Sequence, residues 1–556
     1  MTATPSFSRR SALLAGLGVS AGAGLAGGLT SCAPESATSS GAPPLRIHAN
    51  DVTTYNANFN PFSPTALSGA NGIIYEPLML TTSINAENPV PWLAESIEFS
   101  DDGTAADIQV RQGVKWTDGK DLTVEDVVYS LLLLRDEPAT NGAALPVKDA
   151  EITGENTVRV TFKAPSFAFA PTLRATYVVP KHIFETIDVV GDTIAEPVGS
   201  GPYKLGRFGD QLYTFVKNED HWAADEFEVP ELFWPSFTPE TFNTALQAGE
   251  IDWSGGFVAN VEKVFINHDP EHRGHFYPGL GAVNLTFNLE REKWQNIELR
   301  RGISLAIDRK LIADIAMYGY VPPPHPTALP RPTFEKYISE EYKGLEFVYD
   351  PKEAESVLDA AGYPRGADGV RVGADGEPLD LVLEFPSTFV DWVTVTQIIG
   401  EQLRAVGVNL TPRGVSLEAW IEKRNSGKFD VTLSIVSAGS SPWFMYRSML
   451  SSHHRSDDGK VLANFQRWYD DETDEYLARY TSTDDKAVQQ ECIDGLEKIM
   501  VEKMPTLPVV VAPNWFNYCT TYWTGFPTEE NPYALGAPYS SLDRVLVLRN
   551  LTRSTD

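Results

Sequence analysis

The chain has 556 residues, with 75 acidic against 45 basic side chains, a formal charge of −30 and an aromatic share of 11%. Such an excess of acid excludes the polyanion-binding classes, and we expect no nucleic-acid partner. The length suits two or three packed domains, and three cysteines are too few for a disulfide framework.

The first 31 residues read as an export signal. Ser8-Arg9-Arg10 is a basic, twin-arginine start, Ala12 to Leu29 is an uncharged run, and Leu29-Thr30-Ser31-Cys32 is a small-residue site ending in cysteine. This is the pattern of a bacterial lipoprotein. Cleavage before Cys32 and acylation of its thiol would tether the protein to the outer face of the cytoplasmic membrane. Either the twin-arginine or the general export route fits. A transmembrane anchor fits less well, because the run is glycine-rich and no stop-transfer charges follow. Residues 32–44, rich in Ser, Pro and Ala, form a flexible tether. Cys492, in a predicted helix, and Cys519, in a predicted strand, could pair or stay as isolated buried thiols.

After a first strand, Leu45–Asn50, the loop from Asp51 to Phe62 interleaves Tyr55, Phe59 and Phe62 with Asn56, Asn58 and Asn60. Rings that stack beside amides that hydrogen-bond suit a neutral polar ligand, although turns favour Asn in any case. Further on, a strand with Ile108 and Val110 is followed by a helix capped by Thr123 with Asp126 at its third position, and Trp116 packs under the intervening turn. Gly199-Ser-Gly-Pro-Tyr resembles a phosphate loop only superficially. Pro202 and the alternating Tyr203, Leu205 and Phe208 predict a strand after it, where a phosphate loop needs a helix. Phe257 lies in a loop after the short strand Glu250–Trp253. His268, His272 and His275 with Glu271 raise a metal site, but Asp269-Pro270 and Gly274 break the segment, and solvated loop histidines fit better.

Val283 to Leu289 alternates as a half-buried strand that carries Asn284 and Asn288 on its polar side. A helical stripe of Leu299, Ile303, Ile307, Leu311 and Ile315 follows and stops at Gly319 and Pro322. Asp350-Pro351-Lys352-Glu353 starts another helix with a cap, an N1 proline and an N3 glutamate. Strands and helices then alternate, with Trp392 beside one helix, Ser416 capping the next, and a buried strand Phe429–Val436. This pattern is α/β with mostly parallel pairing. The loop Ser437–Arg447 leaves the C-terminal end of that buried strand, where open α/β sheets place ligand crevices. It offers Ser440 for hydrogen bonds and Trp443 and Tyr446 for stacking. Leu507–Ala512 is a short apolar strand, followed by Asn514-Trp515-Phe516. No nucleophile elbow, zinc ligand set or dinucleotide fingerprint is present, so neither catalysis nor a cofactor is expected.

Five blocks in one order resemble the extracytoplasmic solute-binding proteins of peptide-type ABC importers, which include dipeptide-, oligopeptide-, nickel- and oligosaccharide-binding members. They are Tyr75-Glu76-Pro77-Leu78, VRQGVKWTDGKDLTVEDVVYSL, Gly199–Tyr203, LQAGEIDW and LRRGISLAIDRKLIADIAMYGYVPP. The resemblance spans nearly the whole mature chain. It implies a type II periplasmic-binding-protein fold of two lobes: lobe 1 over 45–284 with an extra subdomain at about 80–190, lobe 2 over 285–506, and a return to lobe 1 over 507–556. The crossings would fall near Leu285–Leu289 and Leu507–Ala512. A ligand would lie between the lobes and be delivered to a membrane permease. Peptide-binding members carry an aspartate for the ligand's amine after the strand matching Phe429–Val436. Here Ser437 to Trp443 holds no acid, and an unpaired buried ammonium is costly. We therefore expect an oligosaccharide rather than an oligopeptide, held by Tyr55, Asn56, Asn58, Phe257, Asn284, Asn288, Trp392, Ser440, Trp443, Tyr446 and Trp515, with no bound metal and a monomeric protein. A metal-chelate binder and a secreted hydrolase are the other readings.

Overall fold

The computed structural model describes residues 41–555 apart from 82, 83, 85, 438, 457 and 458. The export signal, Cys32 and most of the tether lie outside these residues. Cys492 and Cys519 are both buried and free, and no described helix is long and apolar enough to cross a membrane.

Lobe 1 is organised around Leu45–His48, which pairs in parallel with Glu231–Pro235 on one side and with Trp253–Ser254 on the other. The hairpin Tyr203–Gly209 and Leu212–Lys217 extends one flank. Asn517–Cys519 and Arg273–His275 extend the other. Asp252, 1% exposed in its side chain, accepts both the main-chain N–H of Arg46 at 2.8 Å and its Nε–H at 2.9 Å. This pair locks the first strand to the one that follows Asp252. The extra subdomain is an antiparallel sheet of Ala94–Phe99, Ala105–Val110, Thr157–Phe162 and Val147–Ile152. The helix Val124–Asp136 packs on it and begins as the sequence predicts. Asp126 accepts N–H groups from Thr123 at 2.9 Å, Lys181 at 2.9 Å and the Trp116 ring at 3.3 Å.

Lobe 2 holds the sheet Asn409–Val415, Asp380–Pro386, Val431–Ser437, Gly279–Phe287, Leu507–Pro513, in that spatial order. The first three run parallel, and the last two are antiparallel to their neighbours. Pairing is thus mixed rather than mostly parallel, because the two antiparallel strands bring the chain in from lobe 1 and take it back out. The strands also move the crossings. Arg273–His275 still pairs in lobe 1 and Gly279 already pairs in lobe 2, so the first crossing lies between His275 and Gly279. The second lies between Pro513 and Asn517, after the whole of Leu507–Ala512.

The stripe Leu299–Ile315 is not one face. Two helices, Ile297–Leu305 and Arg309–Ala316, are separated by a break at which Asp308 caps the second, accepting the Leu311 N–H at 2.9 Å. The break resets the phase. Leu299, Ile303 and Ile307 are buried, whereas Leu311 and Ile315 are 41% and 55% exposed and Ile312 and Ala316 take their place inside. Arg300 and Arg309, both buried, reach the start of the return strand. Arg300 donates to the carbonyls of Lys503 at 2.7 Å and Met504 at 2.9 Å, and Arg309 to that of Pro508 at 2.7 Å. Burial pulls the two guanidinium pKa values down to about 10 and about 9.

The helix Lys486–Lys498 carries Glu497, fully buried, whose Oε2 accepts the Ser339 N–H at 3.0 Å. Burial raises its pKa to about 7. A carboxyl with a raised folded pKa leaves the fold most stable below the ordinary value near 4.5, and that advantage is lost as pH rises through about 7. We expect Glu497→Gln to raise stability at pH 8 by up to about 3 kcal/mol and to change it little at pH 5. Guanidinium unfolding at the two pH values measures this.

Candidate functional site

A cavity of about 480 Å³ lies where the lobes meet. Lobe 2 supplies Gly439, Ser440 and Phe444, immediately after the C-terminal end of Val431–Ser437. Ser441 caps the helix Pro442–Leu450 by accepting the Phe444 N–H at 3.4 Å, which leaves Ser440 to face the cavity. Lobe 1 supplies Thr81, Thr172, Tyr177, Tyr539 and Ser541 among others. The Tyr177 hydroxyl donates to Ser541 Oγ at 3.0 Å, and that of Tyr539 accepts the Trp515 N–H at 3.0 Å. Burial raises both phenol pKa values, that of Tyr539 to about 12, so both stay neutral. The acid in the wall, Asp543, is 3% exposed and accepts the Leu535 N–H at 3.0 Å. The described lining thus presents hydroxyls and rings rather than free charge.

The Tyr539–Trp515 bond joins this cavity to an aromatic cluster at the crossings. Trp515 lies 4.9 Å from Phe257 and 4.9 Å from Tyr277, ring centre to ring centre, and Phe257 lies 6.4 Å from Tyr318. Tyr318 belongs to lobe 2 and is 47% exposed. The neighbouring Tyr320 hydroxyl accepts the Val261 N–H of lobe 1 at 2.6 Å.

Of the residues selected from sequence, Ser440 lies in the cavity and Phe257 and Trp515 in the aromatic cluster, both half-buried. Asn56 is exposed on the lobe 1 loop. The others are core. The Tyr55 hydroxyl donates to the Pro235 carbonyl at 3.2 Å, and its ring meets Tyr213 edge-on at 4.7 Å. Asn58 holds its own loop through Ser63 and Thr65, both at 2.9 Å. Asn288 donates to the Gly427 carbonyl at 2.9 Å. Asn284 is fully buried in its strand and donates to the Ala282 carbonyl at 3.3 Å. Trp392 packs edge-on against Trp420 within the core of lobe 2. Trp443 and Tyr446, 2% and 0% exposed, donate to the carbonyls of Leu477 at 3.0 Å and Thr327 at 2.9 Å. Tyr177, Tyr539 and Ser541, which also line the cavity, were not among the residues selected from sequence. The run Pro538-Tyr539-Ser540-Ser541 carries no sign of its position beyond its turn composition.

Two other constellations were tested. Among the described residues no three His, Cys, Asp or Glu side chains converge as metal ligands. His272 bonds Asp269 at 3.0 Å, and His275 stacks on Tyr277 at 4.6 Å. Ser200, Glu76 and His221 do converge, in the interior. Ser200 Oγ donates to Glu76 Oε2 at 2.6 Å, and His221 Nε2 meets Glu76 Oε1 at 2.9 Å. His221 Nδ1 accepts the Ala223 N–H at 3.2 Å, so the ring proton sits on Nε2 and is donated to Glu76. The imidazole is thus not placed to take the Ser200 proton, which a Ser-His-acid triad requires. Glu76 instead holds the Gly199–Tyr203 turn against Ile73 and Ile74. A Cβ on Gly199 would meet the Ile74 carbonyl at 2.1 Å, and one on Gly201 the Ile73 carbonyl at 2.0 Å.

Two α/β lobes joined by two adjacent crossings, with a cavity built from both, define a two-lobed solute-binding protein. Residues 88–457 match the model of the bacterial extracellular solute-binding proteins, family 5. The chain belongs to this family, whose members are the binding components of ABC importers. A probable peptide-binding protein, YejA, of Agrobacterium fabrum is 24% identical over 446 residues, covering 70% of this chain and 72% of that one. The periplasmic oligopeptide-binding protein of an oligopeptide ABC transporter from Thermotoga maritima superposes with a TM-score of 0.84 at 25% identity, over 92% of this chain and 99% of the other. Its mannohexaose-bound structure gives 0.81 at 26% identity with the same coverage.

Glu76→Ala is expected to cost about 3 kcal/mol, because it strands the Ser200 hydroxyl and the His221 N–H in the interior. Chemical unfolding of the variant against the parent protein measures it.

Proposed function

We propose that this protein is the lipid-anchored, monomeric binding component of an ABC importer for a neutral, hydroxyl-rich oligomer, an oligosaccharide in preference to an oligopeptide. The observation that carries the reading is the cavity lining, in which Thr172, Tyr177, Ser440 and Ser541 offer hydroxyls and Phe444 and Tyr539 offer rings. Sugars present hydroxyl edges and apolar ring faces, which such a wall matches. A peptide's ammonium would be buried here without a free carboxylate, at a cost of several kcal/mol. The mannohexaose-bound Thermotoga structure supports the same reading. The name of that protein and of YejA favours oligopeptide as the second reading. We assign ligand contacts to Ser440 and Phe444 from lobe 2 and to Tyr177, Tyr539, Phe257 and Trp515 on the other side, and the lipid anchor to Cys32.

The deciding experiment is a thermal-shift panel of oligosaccharides against free-amine oligopeptides. Oligosaccharides should raise the melting temperature, and Ser440→Ala or Phe444→Ala should each weaken their binding about tenfold, or about 1.4 kcal/mol. Stabilisation by free-amine peptides alone would overturn the saccharide reading. In cell fractionation, Cys32→Ser should move the protein from the membrane fraction to the soluble one.

A further inference from the structure

The two lobes also touch at the rim of the cavity, at the extra subdomain. Arg447, on the helix Pro442–Leu450 of lobe 2, donates to the Ala143 carbonyl of the subdomain at 3.3 Å. Its guanidinium carbon lies 5.4 Å from the Phe169 ring centre and 5.5 Å from that of Trp443. Trp443 in turn meets Phe169 edge-on at 5.2 Å. A second contact lies beside it. Glu87 of the subdomain accepts from Lys336 Nζ at 3.0 Å and from the Tyr337 hydroxyl at 2.7 Å. The loop that presents Lys336 and Tyr337 is braced from behind. Gln490 donates to the Tyr337 carbonyl at 2.8 Å, and Glu497 holds the Ser339 N–H.

None of Arg447, Glu87, Lys336 and Tyr337 lines the cavity. We propose that they form a clasp that stabilises the closed arrangement of the lobes, so that they set affinity by positioning the lobes rather than by touching the solute. Arg447 has no carboxylate partner among the described residues, and its position is explained by a carbonyl and an aromatic ring on the other lobe. A receptor whose binding-competent state is a fraction f of the population shows its intrinsic dissociation constant divided by f. Every clasp contact raises f for any ligand alike. The clasp itself rests only on the two-lobed fold. Its effect on affinity rests also on the cavity being the ligand site.

The test uses the mature protein, with small-angle scattering on the ligand-free form and titration with mannohexaose and with trialanine. Arg447→Met, which keeps an apolar stem between the rings, should enlarge the ligand-free radius of gyration and weaken whichever probe binds by about five- to tenfold. Glu87→Gln should do so by about two- to threefold, since the ion pair is exposed. Glu87→Lys alone should open the protein, and Glu87→Lys with Lys336→Glu should restore both readouts, which a merely structural defect would not allow. An unchanged radius in Arg447→Met and Glu87→Lys, with their melting curves intact, overturns the clasp. So does a double exchange that fails to restore closure. If neither probe binds the parent protein, the ligand reading fails while the scattering comparison still decides the clasp.

Discussion

Two buried arginines anchor the strand on which the chain leaves lobe 2. Arg300 and Arg309 sit on the helices that follow the incoming strand Gly279–Phe287, and their N–H groups go to the carbonyls of Lys503, Met504 and Pro508, at the start of the strand that leads out through the second crossing. Among the described residues neither has a carboxylate in reach; burial lowers both pKa values, and the compensation is main-chain oxygen together with the Ser304 hydroxyl, which accepts from Arg309 at 3.0 Å. A planar fork can serve several carbonyls at once, which lysine cannot, so the identity of these residues follows from the geometry they satisfy. The incoming strand Gly279–Phe287 and the outgoing strand Leu507–Pro513 lie side by side. A rotation of one lobe against the other about the two crossings would change their separation most at the far side of the cleft.

The cavity wall draws on residues from Thr81 to Asp543, and neither lobe carries enough of it alone. The subdomain extends lobe 1 so that Ala143, Phe169 and Glu87 meet lobe 2. Its sheet is antiparallel and built from sequence neighbours, so it forms a rigid extension without disturbing the mixed sheet of lobe 1. The aromatic cluster of Phe257, Tyr277, Tyr318 and Trp515 fills the space at the crossings, where main chain from both lobes converges.

What the residues disclosed depended on how local the interaction was. The caps at Thr123 with Asp126, at Asp350 and at Ser416 are formed within three residues, and the sequence shows all of them. The helical stripe was legible as far as Ile307, where one break, with Asp308 as a new cap, turned Leu311 and Ile315 outward. Of the cavity lining, only Ser440 was legible, because the end of a buried strand is a position that sequence can mark. Tyr55, Asn58, Trp443 and Tyr446 are of the right residue types for a sugar site, and the same types serve a core whenever a carbonyl or hydroxyl is supplied. For Tyr55 that carbonyl comes from Pro235 and for Tyr446 from Thr327, both more than a hundred residues away. Nothing within either residue's own stretch distinguishes the two fates.

The same distinction separates the buried Ser200–Glu76–His221 cluster from the cavity. Glu76 collects a hydroxyl and an imidazole N–H and joins two of the blocks that identify the family, so its charge is used within the frame. In a chain with 75 acids, a cleft lined by neutral groups requires that carboxylates be kept out of it or be engaged beneath its surface, as Asp543 is. Closing such a cleft over a neutral solute desolvates hydroxyls that immediately find new partners, and the lobes meet no unpaired charge as they approach. A charged solute would need its own counter-charge in the wall, and among the described lining residues none is free to serve. On the oligosaccharide reading proposed above, affinity comes from many individually weak hydrogen bonds and ring contacts, made at once when the lobes close.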